Sequence, residues 1–122
     1  NYEELQEELM DRFGEYPDVV AYLLEIGLVK SYFDKVFVER VERKENKITV
    51  QFEKVTQRLF LAQDYFKALS ATNLKAAIAE NKGLMEVVFD VRNKKDYEIL
   101  EGLLIFGESL LEIKESKEAN PI

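Results

Sequence analysis

The sequence predicts an α+β domain: two antiparallel β-hairpins covered by helices, in the order α-α-β-β-α-β-β-α. Three observations carry this expectation. Ile48, Val50 and Phe52 alternate with Lys47, Thr49, Gln51 and Glu53, the period of two that marks a half-buried strand. Long stretches at both ends place apolar residues at three- to four-residue steps, the helical period. The turn-forming runs Lys44-Glu45-Asn46-Lys47 and Asn81-Lys82-Gly83 each sit between two strand-like runs.

Taken in order, Glu3 to Phe13 reads as an amphipathic helix, because Leu5, Leu9 and Phe13 stack on one face. Gly14 is a natural stop, Tyr16 is biased to extended backbone by the proline after it, and Pro17 can open a second helix. That helix, Pro17 to Asp34, is apolar most of the way round and reads as the central core helix. Gly27 in its middle permits close approach by a neighbour. Val36 to Arg43 and Lys47 to Glu53 form the first hairpin, with Asn46 expected at positive φ.

Gln57 to Leu69 returns to helical spacing. Thr56 is its expected N-cap, Leu59, Ala62, Phe66 and Leu69 form the inward stripe, and Leu61 and Tyr65 widen it. Leu74 to Glu80 is open between two states. Its alternation fits a strand and its alanines fit a helix; with Leu84 to Val91 it reads as a second hairpin. Asn93 is the expected cap of a final helix, Lys94 to Glu115, and Lys117 to Ile122 should fray.

The chain has 122 residues, which fits one domain spanning 1–122, and a start without Met suggests an excised fragment of a larger protein or a processed chain. It has no Cys and no His. That removes disulfides, thiolate chemistry, most transition-metal ligation and the commonest general base, so no metal or cofactor is expected. Zero Cys is compatible with a reducing cytoplasm. A net charge of −7 repels nucleic acid and anionic lipid as a whole. There is no apolar run long enough to span a membrane and no basic leader at Asn1 to Leu9.

No P-loop and no glycine-rich phosphate cradle is present. Carboxylates are abundant but fall on faces expected to be exposed. Asp90, inside a strand-like run, is the one expected to be partly buried. Two charged clusters remain. Glu4, Glu7, Glu8 and Asp11 line one helix face, with Arg12 as the one nearby cation. The ordinary reading is a solvated face; the sharper one is a docking surface for a basic partner, because the stripe is under-neutralised. Arg40, Arg43, Lys44, Lys47, Lys54 and Arg58 gather around the first hairpin, interleaved with Glu39, Glu42, Glu45 and Glu53. A mixed solvated face is the ordinary reading there, and a nucleic-acid-binding accessory domain is the alternative.

The stretch Glu8-Leu9-Met10-Asp11-Arg12-Phe13-Gly14-Glu15-Tyr16-Pro17 resembles the E-L-x-D-R-F-G-x-x-P signature of the C-terminal domain of bacterial transcription-repair coupling factors, the Mfd family. Leu23, Leu24, Ile26, Leu28 and Lys30 are similar to the helix that follows it in that family. The remainder of the chain matches in element order. The resemblance implies a non-catalytic domain of an ATP-driven DNA translocase that frees stalled RNA polymerase and recruits excision repair. In the family this domain is an autoinhibitory clamp. It docks on the parent's own UvrB-like module and masks the surface that recruits UvrA, without binding DNA directly. Glu8 and Asp11 are the matched positions implied to contact that module. Phe13 and Gly14 match as core anchor and corner.

Overall fold

The computed structural model describes residues 3–4 and 18–119. The expected first helix, its Gly14 corner and the Pro17 start therefore lie largely outside the described residues, as do Glu7, Glu8, Asp11 and Arg12. Glu3 and Glu4 are helical and exposed.

The described elements are α1 (Asp18–Lys35), β1 (Val38–Lys44), β2 (Lys47–Phe52), α2 (Thr56–Leu59), α3 (Ala62–Ser70), β3 (Lys75–Asn81), β4 (Leu84–Asp90) and α4 (Asp96–Ala119). The two hairpins join through their inner strands into one four-stranded antiparallel sheet of order β1-β2-β4-β3. The α+β architecture with two hairpins is thus as the sequence predicts. The ambiguous alanine-rich stretch is a strand, paired in unbroken register from Lys75↔Asp90 to Asn81↔Leu84. Alternation prevails over alanine's helical preference because β4 pairs the inner side of this edge strand and the alternation turns Ala76 and Ile78 toward the core.

Register puts Ile48, Val50 and Phe52 of β2 beside Val87 and Phe89 of β4 on one sheet face. That face is buried with Val29 and Phe33 of α1, Tyr65 and Ala68 of α3, and Leu103, Phe106 and Leu110 of α4. Phe106 is the hub. Its ring meets Phe33, Phe52 and Phe89 edge-on, at centroid separations of 6.4, 6.4 and 5.3 Å. Such edge contacts add to the area buried by each ring.

Several local expectations need correction. α1 is not a core helix around its whole circumference: Leu28, Val29 and Phe33 are buried, but Leu23 is 60% exposed and Tyr22 40%. Nothing comes within 4 Å of a Cβ built at Gly27, so the close approach falls elsewhere. It falls on α4, where a Cβ at Gly102 would lie 2.7 Å from Leu74 Cγ and one at Gly107 3.0 Å from the Phe33 ring.

The expected helix Gln57 to Leu69 is two helices, broken where Phe60 and Leu61 take extended backbone (ψ 141° and 162°). The break resets the helical phase. Tyr65, Ala68 and Leu69 face inward, while Leu61 and Phe66 are each 58% exposed. The break also turns Phe60 into the core, where its ring meets Tyr65 at 5.5 Å. Thr56 is not a cap but the first residue of α2, fully buried, its hydroxyl donating to the Glu53 carbonyl at 2.7 Å.

Positive φ in the first hairpin turn falls on Glu45 (54°), not Asn46. In the second turn Lys82 and Gly83 both take it (53° and 81°), the pairing that suits a two-residue hairpin. Asn93 sits in the left-handed region (63°) as a corner rather than a cap. α4 begins three residues later, where the Glu98 carboxylate accepts from the Lys95 N–H at 3.3 Å. At its far end α4 stays helical through Ala119, beyond the point where fraying was expected.

Candidate docking surfaces

Of the five residues assigned to the acidic docking stripe, Glu4 alone lies among the described residues, exposed on a helical segment. The geometry of the other four is outside them.

Three of the six basic residues around the first hairpin are held in exposed ion pairs. Arg40 meets Glu42 at 3.5 Å, Arg43 reaches Asp96 at 3.8 Å, and Lys47 reaches Asp90 at 3.6 Å. Asp90 itself is half-buried, its side chain 34% exposed. The Arg92 N–H, donating to it at 3.0 Å, and the nearby Lys47 ammonium hold its carboxyl below the usual carboxylate range. A general acid needs the opposite shift, so Asp90 is suited to fixing a turn and carrying permanent charge.

Two carboxylates that sequence reasoning did not single out are more enclosed. Glu86, on the sheet face opposite the core, is 8% exposed; it accepts from Gln51 Nε2 at 2.8 Å and Asn81 Nδ2 at 3.4 Å. Asp64 accepts from Lys117 Nζ at 2.7 Å and from the Leu61 N–H at 2.8 Å. Burial works to raise the Asp64 pKa, but Lys117, the Leu61 N–H and Lys67 outweigh it and hold the carboxyl low. No sequence signal marks the Asp64–Lys117 pair, because the partners are 53 positions apart. For Glu86 the usable signal was the strand period, which places it opposite Gln51 once the β2–β4 pairing is known.

Among the described residues, no group of three or more potential ligands could hold a metal ion, and no helix is long and apolar enough to cross a membrane. A groove of about 570 Å³ runs between α3 and α4, past Asp64, Lys67, Glu112 and Lys117. A second, of about 440 Å³, lies along α1 at Leu23, Leu24, Leu28 and Tyr32. A third, of about 400 Å³, sits at one end of the sheet, lined by Asn73, Lys75, Asp90, Arg92, Asn93 and Lys94. The first and third are open and lined mainly by charged and polar side chains; the first holds two carboxylates, Asp64 and Glu112, of which Asp64 is committed to Lys117. These are shapes for contact with another surface rather than for enclosing a small reactant.

Comparison with known proteins identifies the family. The model of the TRCF domain family matches residues 1–63, which include the whole acidic stripe and the signature that overlaps it. A solved structure described as the crystal structure of the C-terminal domain of transcription-repair coupling factor superposes with a TM-score of 0.88 at 92% identity. The match covers 95% of this chain and 72% of that one. A comparison with curated proteins finds no match. With the family model covering half of its length and this near-identical structural match, the chain belongs to the TRCF domain family, as the C-terminal domain of a transcription-repair coupling factor.

Proposed function

We propose that this domain is a non-catalytic regulatory module that represses its parent, an ATP-dependent DNA translocase of the bacterial cytoplasm. It does so by docking on the parent's UvrB-like module and masking the surface that recruits UvrA. The observation that carries the reading is the family match over residues 1–63, which contains Glu4, Glu7, Glu8, Asp11 and Arg12. A cluster of four carboxylates beside one arginine favours a cationic counterpart. Tethering within one parent chain supplies a high effective concentration, so modest contacts suffice to hold a clamp closed and still let it open. RNA polymerase and UvrA then enter only through the parent, once the clamp is open.

The nucleic-acid alternative needs free cations on the first hairpin. The pairing of Arg40, Arg43 and Lys47 with Glu42, Asp96 and Asp90 counts against it, as does the net charge of −7.

The test is a titration of this domain with the separately produced UvrB-like module, repeated with Glu8→Arg plus Asp11→Arg. The reading expects binding by the native domain and loss of binding by the folded double variant. Equal binding by both would remove the stripe from the interface. Salt-sensitive binding to duplex DNA, lost on Arg43→Ala plus Lys47→Ala, would move the reading to the alternative.

A further inference from the structure

Strand register assembles a charged rung that no single segment of the chain contains. Lys44 of β1 pairs with Lys47 of β2, Lys47 with Asp90 of β4, and Asp90 with Lys75 of β3. One end of the sheet therefore reads cation, cation, anion, cation across its four strands. Arg92 and Lys94 extend the cluster around the adjoining groove of about 400 Å³. The other charges facing it are Glu45 in the turn, Asp96, which meets Arg43, and Glu98, which meets Lys94 at 3.9 Å. Lys44 and Lys75 are exposed and have no ion-pair partner among the described residues. In a chain of net charge −7, this concentration of cations is a local inversion of sign.

We infer that this end of the sheet is a second docking surface, which receives an acidic α-helix of a protein partner, and that it is separate from the acidic stripe. Three features choose a helix over a phosphate backbone. Asp90 stands ionised in the middle of the rung, where a continuous run of phosphates would have to lie over it. A protein surface can place carboxylates on either side and a cation or a small residue between. Adjacent strands are about 4.8 Å apart, so Lys47 and Lys75 are separated by about 10 Å. Carboxylates at i and i+7 of a helix are separated by about 10.5 Å along its axis, a matching interval. The lining also has no aromatic residue on which a nucleic-acid base could stack. The inference does not depend on where the acidic stripe docks.

The experiment uses this 122-residue chain, isotope-labelled, and an alanine-based helical peptide with Glu, Lys and Glu at i, i+4 and i+7. A peptide of inverted sign (Lys, Glu, Lys) and a duplex DNA of mixed sequence serve as the other arms. At low salt (about 20 mM, where screening is weak) the acidic peptide should shift the amides of Lys47, Lys75 and Asp90 to Lys94. Lys75→Glu with Arg92→Glu should weaken binding at least about tenfold, and the neutral pair Lys75→Gln with Arg92→Gln by less, with circular dichroism unchanged. The inference is overturned if the inverted peptide binds equally well, if no shift occurs, or if the shifts fall elsewhere. It is also overturned if duplex DNA shifts the same residues at lower concentration than the peptide does.

Discussion

The two faces of the sheet are built from alternate residues of the same strands, yet they do different work. On the helix-covered face Val50, Phe52, Val87 and Phe89 are fully buried against Phe106 and Tyr65. On the other, Thr49, Gln51 and Val88 are half-buried and Ala77 and Ala79 exposed, with Glu86 tied to Gln51 and Asn81 by hydrogen bonds. Stability is concentrated on one side of a layer one residue thick. The other side and the sheet ends are left free to carry charge in patterns that packing does not dictate.

The largest test of that division is Phe106→Ala. It removes the ring that three other rings abut, and should lower unfolding free energy by about 3–5 kcal/mol in a urea titration. Ala77→Ser on the opposite face should stay within about 0.5 kcal/mol of wild type. A loss above about 2 kcal/mol at Ala77 would mean that the open face is covered in solution.

A second comparison sets two glycines in helices against each other. At Gly102 an added methyl would collide with the buried Leu74 side chain. Overpacking costs about 1–3 kcal/mol, offset in part by about 1 kcal/mol of helix propensity. Gly102→Ala should therefore destabilise. At Gly27 the space is open, and Gly27→Ala should stabilise by up to about 1 kcal/mol. Opposite signs in the two melting temperatures are the expected result; equal signs would contradict the packing described for α4.

Much of this was readable from the chain alone, and the failures share a cause. Alternation in Ile48-Thr49-Val50-Gln51-Phe52 identified β2 because one face is buried and the other is not. Periodicity assigned Gln57 to Leu69 to a single helix because apolar spacing does not report a two-residue interruption. Phe60 and Leu61 look like helical neighbours until the core claims the Phe60 ring. The apolar residues of α1 looked buried all round, but hydrophobicity does not state how much neighbouring surface is available to cover it. The acidic stripe was legible because it lies within one segment. The cationic rung was not, because Lys44, Lys47, Asp90 and Lys75 meet only through the strand order β1-β2-β4-β3.

Within the buried face, one group is imperfectly served. The Tyr65 hydroxyl is enclosed beside the Thr56 hydroxyl without a well-formed hydrogen bond to it, and its burial raises the phenol pKa. The Thr56 hydroxyl is committed as donor to the Glu53 carbonyl. An enclosed polar atom without a partner carries a desolvation cost, so Tyr65→Phe should leave stability unchanged or raise it by up to about 1 kcal/mol. A loss of more than about 1 kcal/mol in the same urea titration would show that the hydroxyl does find a partner.

The smallest expected effect lies at the seam between α3 and α4, where Lys117 meets Asp64. The Lys117 side chain is 39% exposed, so solvent weakens the pair, and Lys117→Ala should cost only about 0.5 kcal/mol at neutral pH. Its pH dependence is more telling than its size. The folded-state pKa of Asp64 lies below its unfolded value. Its contribution is therefore fully present above the unfolded carboxylate pKa of about 3.9, and is lost as pH falls through the lower folded value. Wild type and Lys117→Ala should differ in urea midpoint at pH 7 and converge as the pH is taken down through that window. A gap that stayed constant to pH 2 would mean that Lys117 acts through the packing of its methylene stem, and that α3 and α4 are joined by apolar contact alone.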